Sequence, residues 1–82
     1  MARILFFGRL SELIGFDERE FDLPGDVKDT QSLREWLDSE FQTDGELLLS
    51  TNRIAINAQI TQENADLSNA DEVAFLPPVG GG

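Results

Sequence analysis

The residues of this chain whose types and spacing could do chemistry lie at its very end. Residues 77–82 read Pro77-Pro78-Val79-Gly80-Gly81-Gly82, a tip expected to end in a free carboxylate. Prolines fix φ near about −65° and favour an extended course, so Pro77 and Pro78 form a stiff base. The three glycines carry no side chain and admit nearly all backbone angles, so they form a thin tip. Such a tip can thread a channel too narrow for any Cβ, and an enzyme can reach its carboxylate from all sides. Terminal glycines also occur as a frayed chain end or an expression scar. Two details favour a working appendage. The Pro-Pro pair directly abuts an apolar strand with no polar linker, and the chain stops on glycine itself.

What the rest of the chain lacks narrows the chemistry. Cysteine and histidine are both absent. No disulfide framework, thiolate nucleophile or Cys/His zinc site is possible, and the commonest general base near neutral pH is missing. Any sulfur this chain handles cannot sit on a side-chain thiol. Six Lys and Arg stand against sixteen Asp and Glu, a net charge of −10. Such a surface repels phosphate backbones, which argues against nucleic-acid binding, and it speeds encounter with basic partners. It also serves solubility alone. Asp71 and Glu72 could suggest a metal pair, but acids at a turn and a strand start are more often structural, and no metal is assigned.

A chain of 82 residues is one domain. Hydrophobic residues make up 40% and charged residues 27%, a globular balance rather than that of a disordered chain. No apolar run approaches the roughly 18–20 residues of a spanning helix, so no membrane is expected. The opening residues, Met1 to Phe7, lack the features of a signal peptide, and the expected compartment is the cytoplasm.

The elements that must position the tail follow from periodicity. Ala2 to Phe7 reads as a strand with apolar residues on both faces, Ile4 and Phe6 on one and Leu5 and Phe7 on the other. Leu10, Leu13 and Ile14 recur at helical spacing before Gly15. Glu18 to Leu23 alternates around Phe21 and Leu23 as a half-buried strand, paired with the first. Asp29 or Thr30 can cap the next helix. Leu33, Trp36, Leu37 and Phe41 line one face of that helix, with Arg34, Glu35, Asp38 and Glu40 opposite. Leu47 to Leu49 fits a strand or a helical turn. Arg53 to Asn57 reads as a strand, Asn64 to Ser68 as a loop anchored by Leu67, Asn69-Ala70-Asp71 as a turn, and Glu72 to Leu76 as the last strand. Strand, strand, long helix, then strands is the order of an α+β, β-grasp (ubiquitin-like) mixed sheet with one main helix packed on one face. The domain spans residues 1–76 and the tail residues 77–82.

Two segments carry a closer likeness. Leu5-Phe6-Phe7-Gly8-Arg9-Leu10-Ser11-Glu12-Leu13-Ile14-Gly15, and Asp71-Glu72-Val73-Ala74-Phe75-Leu76-Pro77-Pro78-Val79 ending on Gly81-Gly82, resemble the opening and closing signatures of the small subunit of molybdopterin synthase, the MoaD family of sulfur carriers. The likeness spans nearly the whole chain. One departure is Ala70, where the family has glycine before the Asp-Glu-Val run. The resemblance implies that Gly82 is the working residue. A ubiquitin-activating-like adenylyltransferase would use ATP to adenylate its carboxylate, and sulfur would then displace AMP to leave a thiocarboxylate. The tail would next enter the large subunit of molybdopterin synthase and give its sulfur to cyclic pyranopterin monophosphate. The implied assembly is a heterotetramer of two small and two large subunits. The chain itself would bind no cofactor and would be no enzyme on its own.

Phe6 and Phe7, and likewise Phe75 and Leu76, alternate between faces, so one member of each pair is core and the other, among Phe7, Phe75 and Leu76, is expected to offer an apolar docking patch to those partners. Arg9 and Arg53 read as solvated surface charges. Three other functions fit the same residues: sulfur carriage for thiamine or tRNA thiolation, protein modification through Gly82, and a β-grasp interaction module with an inert tail.

Overall fold

The computed structural model describes residues 2–61, 64–67 and 72–78. The turn expected at Asn69-Ala70-Asp71 and the tip from Val79 to Gly82 lie outside the described residues. The elements run β1 (Ala2–Phe6), α1 (Arg9–Ile14), β2 (Glu18–Phe21), α2 (Thr30–Phe41), a 3-10 turn (Glu46–Leu48), β3 (Arg53–Ile56), β4 (Gln59–Thr61) and β5 (Glu72–Leu76). The five strands form one mixed sheet in the order β2-β1-β5-β3-β4. β5 lies parallel to β1 and antiparallel to β3, so the strand that carries the tail occupies the centre.

Strand alternation sorts the core from the open face. The register sets Phe6 and Ile54 beside Phe75, and Ile4 and Ile56 beside Val73. Ile4, Phe6, Ile54, Val73 and Phe75 are buried together with Leu33 and Leu37 of α2, Leu10 of α1, Leu47 and Leu67. Phe6 stacks on Phe75 at 5.3 Å between ring centres and meets Phe16 edge-on at 5.7 Å. Trp36, expected to be largely buried with Leu33, Leu37 and Phe41, is half-buried, as is Phe41, and its ring meets Phe21 edge-on at 5.8 Å. The reason is β2: an edge strand covers the outer side of the helix only in part. Leu13 also departs from its helical stripe. Leu10, fully buried, and Ile14, half-buried against the core, anchor α1, while Leu13 stands 49% exposed.

α2 starts where its capping chemistry dictates. Asp29 accepts from the Ser32 backbone N–H at 2.8 Å, and the Ser32 hydroxyl returns to the Asp29 backbone N–H, a reciprocal capping box. The Ser32 hydroxyl also donates to the Asp29 carboxylate at 2.7 Å, and these bonds hold the Asp29 carboxyl below its ordinary value of 3.8. A carboxyl lowered in the folded state contributes stability above the unfolded value and loses it as pH falls. Asp29→Asn keeps a good cap without the titration. Its melting temperature is therefore expected to match the parent near pH 7 and to fall less steeply below pH 3.8. A thermal scan against pH reads this directly.

Arg34, on the helix face opposite the apolar stripe, is half-buried. Its guanidinium donates to the carbonyls of Leu47, Leu49 and Asn52 at 2.9, 3.0 and 2.8 Å, tying the 3-10 turn and the entry to β3 onto α2. Desolvation lowers its pKa. Asp38 serves the same segment from the other end, accepting from the Gly45 N–H at 2.8 Å and from the Thr43 hydroxyl.

β4 is a strand that the apolar pattern does not announce. It pairs with β3 through a two-residue loop, Asn57-Ala58, both at positive φ (49° and 72°). Two consecutive positive φ values mark the turn whose twist suits a tight hairpin. Among the described residues no helix is long and apolar enough to cross a membrane.

Candidate functional site

The root of the tail is fixed by both neighbours of β5. After Phe6 pairs with Phe75, the Phe7 N–H donates to the Phe75 carbonyl at 3.1 Å, and Arg53 pairs with Leu76. The chain then passes over Gly8. A Cβ built on Gly8 would lie 3.0 Å from the Pro77 ring, and Gly8 holds φ +56°. The Pro77 ring therefore sits against the turn that leads from β1 into α1. Pro77 is half-buried, Pro78 is exposed, and Val79, Gly80, Gly81 and Gly82 lie outside the described residues.

An apolar strip borders this root on the face of the sheet turned away from α2. Phe7 is 45% exposed and Leu76 is half-buried, as the docking expectation requires. Phe75 is not part of it. It is fully buried, with 0% exposure, because its parity on β5 matches Val73 and turns it into the core against Phe6. The neighbouring row crosses four strands: Leu5 beside Ala74, Ala74 beside Ala55, and Ala55 beside Ile60. Ile60, 52% exposed, is a member that sequence reading missed. The only signal was one isoleucine between Gln59 and Thr61, which becomes informative once β4 is paired. Charges border the strip on the β2 side, where Arg3 lies 3.6 Å from Glu18 and pairs in register with Glu20 and Glu72.

The remaining candidates separate cleanly. Arg9 is not a free surface charge, since it pairs with Glu46 at 2.8 Å and joins α1 to the 3-10 turn. Arg53 is exposed at the start of β3, beside Leu76. Glu72 opens β5, its backbone N–H donating to the Asn57 side chain at 3.0 Å, a structural role, while Asp71 lies outside the described residues. Chemically, this arrangement presents a central strand that ends at one pole, a proline seated on a turn, and an apolar apron beside it. It holds no histidine or cysteine for acid–base or nucleophilic work. It suits a chain that delivers its terminus into another protein's site.

Comparison with known proteins gives concordant results. The model of the ThiS family matches residues 4–82. The molybdopterin synthase sulfur carrier subunit of Escherichia coli is 33% identical over 88 aligned positions, covering 100% of both chains. That of Haemophilus influenzae is 34% identical, again over 100% of both. In fold, the chain resembles a putative molybdopterin converting factor subunit 1 from Pyrococcus furiosus, with a TM-score of 0.71 over 95% of this chain and 97% of the other at 24% identity. It also resembles SAMP1 from Haloferax volcanii, with a TM-score of 0.73 over 99% and 98% at 24% identity. These likenesses agree with the β-grasp architecture.

Proposed function

The chain belongs to the ThiS family, and from that premise we propose that it is the sulfur-carrier subunit of a molybdopterin synthase. The observation that carries the reading is full-length similarity to two sulfur carrier subunits, joined to a tail rooted on the central strand. The Gly82 carboxylate is a poor electrophile until one oxygen becomes a good leaving group. An adenylyltransferase partner supplies that step. The carboxylate oxygen attacks the α-phosphorus of ATP, pyrophosphate leaves, and an acyl-adenylate forms. A persulfide donor then attacks the acyl carbon through its outer sulfur and AMP departs; a second thiol forms a disulfide with the donor's inner sulfur, supplying the two electrons that cleave the S–S bond and leave a thiocarboxylate at Gly82.

In the synthase the large subunit provides the pterin pocket and the acid–base groups that this histidine-free chain lacks. The small subunit provides the sulfur and the strip of Phe7, Leu76 and Ile60 on which a partner can sit. The product dithiolene holds two sulfurs, so two charged carriers are consumed for each molybdopterin formed, in keeping with a heterotetramer of two small and two large subunits. The chain binds no cofactor itself, and ATP is consumed by its activating partner.

The test is a reconstitution. Thiocarboxylated chain, a molybdopterin synthase large subunit and cyclic pyranopterin monophosphate are mixed, and product is measured against carrier added. The expected result is molybdopterin in a ratio of one to two carriers. Transfer to a thiazole precursor or to tRNA, with none to the pterin, would move the chain to another sulfur pathway.

A further inference from the structure

The tail root has a second border, at the turn that leads into α1. Gly8, against which the Pro77 ring sits, is also the residue that precedes α1. α1 carries Leu13, 49% exposed although Leu10 on the same short helix is fully buried. Leu13 lies in a groove of about 380 Å³ together with Arg9, Leu10, Glu12 and Glu46. Arg9 is engaged with Glu46 at 2.8 Å, which leaves Glu12 as an acid at the rim without that compensation. The groove thus offers an apolar floor beside a negative charge.

From this placement we infer that the α1 groove is a docking site for the large subunit of the synthase, filled by an aliphatic side chain flanked by Arg or Lys. The inference rests on the sulfur-carrier reading above and names the partner at the same tail.

Two arguments lead to that occupant. The first is size. A stable subunit interface takes about 800 Å² from each partner, a disc of about 16 Å radius. Six helical residues rise only about 9 Å, and α1 begins one residue after Gly8, so such a disc centred on the root covers all of α1. Activation enters this inference as a transient encounter, and a contact of that smaller class can be supplied by the strip beside the root alone. The second is charge. Sixteen acids against six cations make the chain strongly negative, and an apolar side chain with a neighbouring cation satisfies both Leu13 and Glu12.

The experiment measures two affinities on folded, full-length variants. Leu13→Asp places a second acid on the groove floor at a position already exposed to solvent. It is expected to raise the Kd for the large subunit about tenfold or more. The KM of the chain in adenylation should stay within about twofold of the parent value, because the smaller transient contact does not reach α1. Glu12→Gln, a mild change on the helix surface, decides the matter should Leu13→Asp fold poorly. It is expected to slow association with the large subunit a few-fold and to flatten its dependence on salt. Unaltered Kd for Leu13→Asp, or unaltered association for Glu12→Gln, would overturn the groove alone. Equal losses in both affinities would overturn its assignment to the large subunit. Failure of the parent chain to bind any large subunit would overturn the groove together with the reading beneath it.

Discussion

Removing Gly82, or adding one residue after it, is expected to lower ATP–pyrophosphate exchange by the activating enzyme more than about 100-fold. The reason is geometric. One residue shifts the terminal carboxylate by about 3.3–3.6 Å along an extended chain, and a misplacement of about 1 Å can already cost a hundredfold in rate. No side-chain carboxylate can stand in for it, because none of the sixteen Asp and Glu lies within residues 77–82. The fold should not notice. Among the described residues the last pairings at this pole are the Phe7 N–H with the Phe75 carbonyl and Arg53 in register with Leu76, so unfolding free energy should change by less than about 0.5 kcal/mol. Exchange at the parent rate by a shortened or lengthened chain would remove Gly82 from the mechanism.

Phe75→Ala is expected to act in the opposite manner, on stability. The ring is fully buried, stacks on Phe6 and lies between β1 and β3 on the central strand. Truncating a buried phenylalanine costs about 3–5 kcal/mol, against a total of about 5–15 kcal/mol for a small domain. The variant should lose most of its cooperative urea transition. Leu76→Ala, one residue on and facing the open side, should retain it and weaken partner binding instead. The reverse pattern, a stable Phe75→Ala that no longer binds partners, would mean that β5 sits one residue out of register.

The contrast between these neighbours shows what a sequence can and cannot reveal. Alternation along Val73-Ala74-Phe75-Leu76 says that one of the last two residues is core. It does not say which, because a strand at the centre of a sheet is apolar on both faces. Parity became fixed only through pairing with Phe6 and Ile54. β4 escaped notice for a different reason. Its turn is Asn57-Ala58, where the strongest hairpin signal would have been Asn-Gly, and Ala58 is held at φ 72° by the pairing on either side. With β4 went Ile60, the far member of the docking strip.

Helix α2 was legible because its stripe, its cap residue and its length agreed. Leu33 and Leu37 are buried, and Asp29 caps the helix. Arg34 misled, since periodicity places it on the polar face while its long side chain reaches back to three carbonyls of the next segment. Leu13 misled in the other sense, having the spacing of a core residue without a core to fill. The tail needed no structure to be noticed. Proline and glycine side-chain chemistry dictates its stiffness and slenderness, whereas its launch from the central strand, beside Gly8, required the fold.

The most direct test of sulfur carriage is the intact mass of the chain isolated from cells with an active molybdopterin pathway. The expected result is a population heavier by the difference between one sulfur and one oxygen, confined by fragmentation to Gly82 and absent when the activating enzyme is deleted. A single species at the unmodified mass, from cells that make molybdopterin and with the activating enzyme present, would contradict it.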